Sequence, residues 1–131
     1  MRILICGSRT DYDGQKAREY LGEFISQHKD DTFIHGGANG IDLLADIMLK
    51  ERFPDYSRRV KIIRPQYNVY GDKAPLIRDR EMVSECDVVV AFWNFNSHGT
   101  KFTMDYAREQ GKKIEIFDIR EFIGPSHRLG V

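Results

Sequence analysis

Three short glycine-bearing segments stand where an apolar run ends and a helical pattern begins, and their residue types suit the binding of an anion. Glycine lets the backbone adopt positive φ and approach a ligand closely. The free N–H groups at the start of a helix, with the positive end of its dipole, attract phosphate or carboxylate. The segments comprise Gly7, Ser8 and Arg9; Gly36, Gly37, Ala38, Asn39, Gly40 and Asp42; and Ser97, His98, Gly99 and Thr100.

A single glycine-rich segment is more often a plain turn than a binding site. Three such segments at one edge of a sheet favour a site. Their spacing matches neither the Gly-x-Gly-x-x-Gly loop nor the P-loop with its lysine, so it predicts a phosphate-bearing ligand without specifying NAD or ATP. The sequence predicts no bound cofactor and no metal site, because its two cysteines lack the spacing of metal ligands.

Charged side chains near these segments could recognise the same ligand. Ser8 and Arg9 offer a hydroxyl and a guanidinium to a phosphate, although a solvated loop arginine is the alternative. Asp42 either accepts a hydrogen bond from a ribose hydroxyl or stabilises the start of its helix, and the sequence does not separate the two. Arg78 and Arg80 lie two residues apart on a predicted helix, so we expect only one of them to face a pocket.

Aromatic and histidine side chains have two interpretations each. Trp93, Phe95 and the Tyr67–Tyr70 region either stack on a base or cover the core, and for Trp93 the two are evenly balanced. His35 and His98 have the chemistry of an acid or base catalyst. Since no nucleophile stands at a matched spacing, a polar role in a turn is favoured for both.

The elements that must position these residues alternate between short β-branched runs and longer amphipathic stretches, which is typical of βα units. Strands are predicted at 2–6, 32–35, 60–64, 88–92 and 114–117. Helices are predicted from about residue 17 to 28 and at 41–53, 74–85 and 100–110, and residues 65–73 are predicted to be a loop.

This order predicts an α/β fold with a single Rossmann-like three-layer domain over residues 1–117. With right-handed crossovers, about five parallel strands take the order 3-2-1-4-5, with helices on both faces. The order reverses between strands one and four, and ligands of such sheets bind beyond the strand ends at that point. Residues 118–131 are predicted to be a C-terminal extension packed on or near the domain.

Composition limits the classes of function. The 131-residue chain has 20 basic and 20 acidic side chains, so no overall field attracts polyanions or acidic membranes. No stretch has the length and hydrophobicity of a membrane span. Cys6 and Cys86 stand beside apolar runs and are predicted to be reduced core thiols, which points to the cytoplasm.

Four ordered motifs occur in the chain: residues 3–9 (ILICGSR), 36–42 (GGANGID), 78–82 (RDREM) and 87–92 (DVVVAF), the last followed by Gly99-Thr100. In combination they resemble the SLOG superfamily, and within it the YspA and cpYpsA-related branch. The resemblance covers residues 1–117. It implies a Rossmann-like fold, a nucleotide or nucleotide-derived ligand and a homodimer or higher homo-oligomer.

Enzymes of the LONELY GUY branch hydrolyse the N-glycosidic bond of nucleoside monophosphates with an arginine and a glutamate. The resemblance places Arg78 at the arginine position, where it would be catalytic if the protein is an enzyme, but Thr103 stands at the glutamate position. A threonine hydroxyl carries no charge to stabilise an oxocarbenium-like state. Hydrolase activity is therefore disfavoured, unless Asp42 or Asp79 reaches the pocket and compensates.

Three functions follow from these observations. The favoured one is a module that senses or sequesters a nucleotide-type ligand. The first alternative is an N-glycosidase or phosphoribohydrolase acting on nucleoside monophosphates. The second is single-stranded DNA binding, as in the DNA-processing branch; the basic cluster of Arg58, Arg59, Lys61 and Arg64 speaks for it, and the neutral net charge speaks against it.

Overall fold

The computed structural model describes residues 1–121, and they form an α/β domain around one five-stranded sheet. All neighbouring strands are parallel, and their order is β3-β2-β1-β4-β5, as the sequence predicts. The strands are β1 (Arg2–Gly7), β2 (Thr32–His35), β3 (Val60–Ile62), β4 (Val88–Trp93) and β5 (Lys113–Asp118).

Helices cover both faces of the sheet. The long helices are α1 (Gly14–Gln27), α2 (Ile41–Arg52), α5 (Ala74–Glu85) and α6 (His98–Glu109), and the short ones are α3 (Tyr56–Arg59) and α4 (Tyr67–Tyr70). None of the helices within residues 1–121 combines the length and hydrophobicity needed to cross a bilayer.

Alternate residues of the central strands point to opposite faces, which divides the core into two layers. Ile3 and Val90 pack with α1 and α2 on one face, whereas Leu4 and Val89 pack with α5 and α6 on the other. Both central strands are buried almost throughout. This burial explains why β4 reads as a continuous apolar run rather than an alternating one.

Two predictions about the elements were wrong. Residues 65–73 are not an open loop, because the N–H groups of Val69 and Tyr70 both donate to the carbonyl of Gln66 and form α4, which a 3-10 turn (Gly71–Lys73) connects to α5. The third strand ends at Ile62 rather than at residue 64. It is an edge strand that pairs with β2.

The predicted extension begins against the domain. Ile119 is fully buried, its N–H donates to the carbonyl of Trp93, and its carbonyl accepts from the N–H of Asp13. The Lys16 ammonium donates to the carbonyl of Arg120. Residues 122–131, the rest of the predicted extension, lie outside the described residues.

Candidate functional site

A cleft of about 430 Å³ opens at the carboxyl ends of the two central strands, β1 and β4. This is the point at which the strand order reverses, where open α/β sheets bind their ligands. Its volume lies within the range of small-molecule sites. It is lined by Cys6, Gly7, Arg9, Thr10, Ala38, Asp42, Arg78, Asp79, Met82, Ser97, His98, Gly99, Thr100 and Thr103.

A buried asparagine, Asn94, holds two walls of the cleft together. Its amide nitrogen donates to the carbonyls of Thr10 (3.0 Å) and Asp11 (3.1 Å) in the loop after β1. Its amide oxygen accepts from the backbone N–H groups of Asn96 and Ser97 and from the Ser97 hydroxyl. The loop before α6 is thereby fixed to the loop after β1.

Ser8 stabilises the contact between these two loops rather than lining the cleft. It is fully buried and absent from the lining, and its Oγ accepts a hydrogen bond from the backbone N–H of Asn94 at 2.8 Å. Trp93 is also absent from the lining. Its indole N–H donates to the carbonyl of Ser97, and its ring stacks on Phe95 with centroids 4.6 Å apart. Both side chains shape the loop behind the cleft.

The N-terminus of α6 faces the cleft with free donors. Within residues 1–121 the backbone N–H groups of His98, Gly99 and Thr100 have no acceptor, and the first helical bond there runs from Lys101 N–H to the Ser97 carbonyl. Arg9 lines the same cleft, is exposed, and pairs with no carboxylate of the described residues. Free amides, a positive dipole end and a guanidinium together suit an anion.

The loop between β2 and α2 differs from the expectation, because its amides are already satisfied. The N–H groups of Gly36 and Ala38 donate to Oδ2 of Asp42 at 3.1 and 3.2 Å, and the N–H of Gly37 donates to Nδ1 of His35 at 3.0 Å. The carboxylate of Asp42 thus occupies the position that a phosphate was predicted to take. These three amides do not surround a ligand phosphate.

Two glycines near the cleft are required by close packing between loops. A Cβ on Gly7 would lie 2.7 Å from Ile41 and would clash with the carbonyl of Phe92. Gly40 has φ of +82°, and a Cβ there would lie 2.5 Å from Cα of Arg9 and would clash with the carbonyl of Ser8. Gly40 therefore determines how closely the loop that carries Arg9 approaches the start of α2.

The expectation that one of two arginines on α5 faces the pocket is met by Arg78. It is buried, its Nε donates to Oδ1 of Asp79 at 2.8 Å, and its Nη1 donates to the carbonyls of Gly36 (2.6 Å) and Ile63 (3.2 Å). Arg80 is exposed and lies over the rings of Phe102 and Tyr106 on α6. Arg78 thus joins α5 to the strand ends that flank the cleft.

Two carboxyl groups stand at the buried side of the cleft. Burial raises the pKa of Asp42 above its ordinary value, although His35, the two amide donors and Arg78 oppose the rise. Burial also raises the pKa of Asp79, against the charge of Arg78, and the charge of Asp42 adds to the rise. Raised carboxyl pKa values in a cleft mark groups suited to accept or transfer a proton.

Asp42 keeps one oxygen available. Its Oδ2 accepts the two amides, while Oδ1 has no partner among the described residues. Within those residues no side-chain oxygen or nitrogen is both sealed from solvent and unpaired, so Oδ1 is accessible. Asp42 lines the cleft. It can therefore stabilise its own loop and accept a hydrogen bond from a ligand hydroxyl at the same time.

Thr103 and Cys6 complete this side of the cleft. Thr103 is buried, and its hydroxyl donates to the carbonyl of Gly99 at 3.1 Å. Cys6 and Cys86 are both buried, which confirms their predicted place in the core, and both are free cysteines. Burial raises the pKa of Cys6 well above its ordinary value, with smaller contributions from the charges of Asp42 and Asp79. The thiol therefore stays protonated and is a poor nucleophile.

A second lobe of about 360 Å³ adjoins the cleft at the carboxyl ends of β2 and β3. Arg9, Ala38 and Arg78 line both lobes. The predicted residues Gly36, Gly37 and Asn39 line only this second lobe. Its other lining residues are Arg64, Pro65 and Tyr67.

Two members of the basic cluster near β3, Arg59 and Lys61, already have partners within the chain. The guanidinium of Arg59 lies over Phe53 and donates to the carbonyls of Asp31 and Lys29. Lys61 pairs with Glu85 at 2.7 Å. Of the cluster, Arg64 alone lines a lobe of the cleft.

His35 holds the loop before α2 rather than facing the ligand. Because its Nδ1 accepts from Gly37, its Nε2 carries the proton that bonds Asp46 at 2.9 Å. Asp46 also accepts from the hydroxyl of Tyr56. Burial pushes the pKa of Asp46 upward, but its hydrogen bonds with Tyr56, His35 and Lys50 outweigh burial and lower it. This network confirms a polar structural role for His35.

Sequence reasoning missed several residues of the site. Thr10 and Met82 line the first lobe and Arg64 lines the second, and none of the three was named as a ligand contact. Asn94 was missed as well, although its place directly after an apolar central strand at the strand reversal is a usable signal. Comparison with known proteins adds no assignment: the chain matches no protein-family model, and no curated protein matches it significantly.

Proposed function

We propose that this protein binds a nucleotide or nucleotide-derived ligand through its phosphate and acts as a sensor or sequestering module. The proposal is carried by the anion position that the N–H groups of His98, Gly99 and Thr100 form beside Arg9, since these three groups have no acceptor in the described part of the chain. It stands at the strand reversal, where such sheets bind ligands. The motif resemblance to the SLOG superfamily supports the same ligand class.

The opposite side of the cleft supports a sugar rather than a bare anion. Asp42 Oδ1 and the Asp79 carboxyl group stand there. Carboxylate oxygens accept hydrogen bonds from ribose hydroxyls, while they repel a second phosphate. A phosphate at α6 and a ribose toward the two carboxyl groups therefore match the charge distribution of the cleft. A cytoplasmic location suits such a ligand and the two buried free thiols.

Isothermal titration calorimetry with the four nucleoside 5′-monophosphates, ADP-ribose and inorganic phosphate tests the proposal. We expect micromolar binding of at least one nucleotide and about tenfold weaker binding by Arg9→Ala, because a charge-assisted contact is lost. Arg18→Ala is the matched control, since Arg18 is an exposed arginine on α1 away from the cleft. No binding by any probe, or equal loss in both variants, would contradict the proposal.

The second candidate function, an N-glycosidase, is favoured by one specific observation. The glutamate position holds Thr103, yet Asp42 and Asp79 reach the same cleft with raised pKa values. A carboxyl group there could protonate a leaving base or stabilise an oxocarbenium-like state. Incubation with nucleoside monophosphates followed by chromatography for free base tests this. The candidate stands if base is released and Asp79→Asn abolishes the release, and it falls if no base appears.

The internal partners of Arg59 and Lys61 count against single-stranded DNA as the ligand. Phosphate contacts by lysine and arginine provide most of the affinity for a nucleic acid. Arg59 and Lys61 already have partners within the chain. The homo-oligomer that the resemblance implies stays a prediction, which light scattering during gel filtration would test.

A further inference from the structure

The second lobe differs in charge from the first, although the two meet. The first lobe contains two carboxyl groups, whereas the lining of the second has no acidic side chain among the described residues. Arg9 lies at the junction, and Arg64 extends the positive charge toward β3. The two lobes therefore offer an acceptor-rich end and a cationic end along one edge of the sheet.

Arg64 is available to a ligand. Its single hydrogen bond within residues 1–121 is a 3.4 Å contact from Nη1 to the carbonyl of Gly37. The guanidinium lies so close to Gly37 that a Cβ there would be 2.5 Å from Nη1. The absence of a side chain at Gly37 thus gives Arg64 its position beside the loop. Most of its donors have no partner among the residues that the structure describes and are available to a phosphate.

Tyr67 supplies an aromatic surface in the same lobe. Tyr67 is 59% exposed, although it belongs to a helical turn that packs against α5. A large exposed ring at the wall of a cavity is a surface on which a second ring can stack. Arg64 and Tyr67 therefore give the second lobe one anion-binding group and one stacking group.

We propose that the ligand is a dinucleotide, two nucleosides joined through a 5′,5′-pyrophosphate, that spans both lobes. This inference rests on the proposed function, because the first nucleotide occupies the cleft beside α6. One phosphate of the pair lies at the start of α6 beside Arg9, the other lies beside Arg64, and the second base stacks on Tyr67. The two cavities, of about 430 and 360 Å³, are each large enough for a nucleoside-sized group.

Calorimetry with matched pairs of probes tests this inference. AMP is compared with diadenosine 5′,5′-pyrophosphate, and GMP with diguanosine 5′,5′-pyrophosphate. We expect the dinucleotide of the preferred base to bind about tenfold more tightly than its mononucleotide, because one charge-assisted contact and one stacked ring are added. Arg64→Ala and Tyr67→Ala each reduce this gain and leave mononucleotide affinity within about twofold of the wild-type value.

Arg58→Ala is the control, because Arg58 is exposed and contacts neither lobe. It should retain the full gain. Equal affinity for mononucleotide and dinucleotide would overturn the inference and leave the proposed function standing. A gain that survives both Arg64→Ala and Tyr67→Ala would overturn the inference as well. If no nucleotide binds at all, the proposed function fails together with it.

Discussion

Gly40 precedes α2 in a backbone conformation that side chains rarely adopt, with φ of +82° and ψ of −126°. Replacing it with alanine has two separable effects. The first is backbone strain, because this region is essentially restricted to glycine. The second is a clash, since the new Cβ would lie 2.5 Å from Cα and 2.7 Å from the carbonyl oxygen of Arg9, both of which are backbone atoms that cannot rotate away.

The chain provides a control for each effect. Gly71 has nearly the same conformation, with φ of 58° and ψ of −134°, but a Cβ there meets nothing within 4 Å. Gly14 has neither a positive φ nor a close neighbour. Strain alone costs about 1–3 kcal/mol, so this is the loss expected for Gly71→Ala. Forced overpacking adds about 1–3 kcal/mol, so Gly40→Ala should lose about 2–6 kcal/mol.

Urea unfolding followed by circular dichroism measures these differences. For a chain of this length, 1 kcal/mol corresponds to a change of roughly 4 °C in Tm, which gives a second readout. Gly14→Ala should be unchanged or stabilised by up to about 1 kcal/mol, because alanine favours a helix over glycine. If Gly40→Ala is no less stable than Gly71→Ala, the reasoning about the contact between the two loops is wrong.

Three further substitutions probe the site and its supports. Asn94→Ala should lower the free energy of unfolding, measured in urea, by roughly 2–4 kcal/mol, because two loops lose their shared hydrogen bonds. Asn68 is an exposed asparagine, and a loss in Asn94→Ala no larger than that in Asn68→Ala would refute this. Gly99→Ala should keep full stability, because a Cβ at residue 99 meets nothing within 4 Å. The same variant should bind the nucleotide about tenfold, or about 1.4 kcal/mol, more weakly in calorimetry. Unchanged affinity would argue against a phosphate at α6. The pKa of Asp46 is lowered in the folded state, so its ionised carboxylate stabilises the fold above the ordinary carboxyl pKa. This contribution is lost as the pH falls through the lowered value. Asp46→Asn should therefore flatten the decline in the free energy of unfolding, measured in urea, between about pH 5 and pH 2. An equally steep decline in that variant would show that Asp46 is not responsible.

Local patterns sufficed to predict the elements and their order. The apolar run at β4 and the helical spacing in α1 and α2 reflect burial, because the apolar residues of each buried segment follow the geometry of its own strand or helix. The strand order 3-2-1-4-5 then followed from the handedness of βα connections. The helical turn of α4 was missed, because it depends on hydrogen bonds to Gln66 rather than on any apolar period.

The sequence by itself determined where the cleft lies, since the strand reversal and the glycine-bearing turns both follow from neighbours along the chain. Only the tertiary structure decided which groups there are free. The Asp42 side chain accepts hydrogen bonds from the amides of Gly36 and Ala38, whereas the amides at the start of α6 have no acceptor within residues 1–121. Arg78 and Arg64 come to adjoining lobes from different elements. Hydrogen-bond partners depend on distances between groups in the folded structure, and these distances cannot be predicted from spacing along the chain.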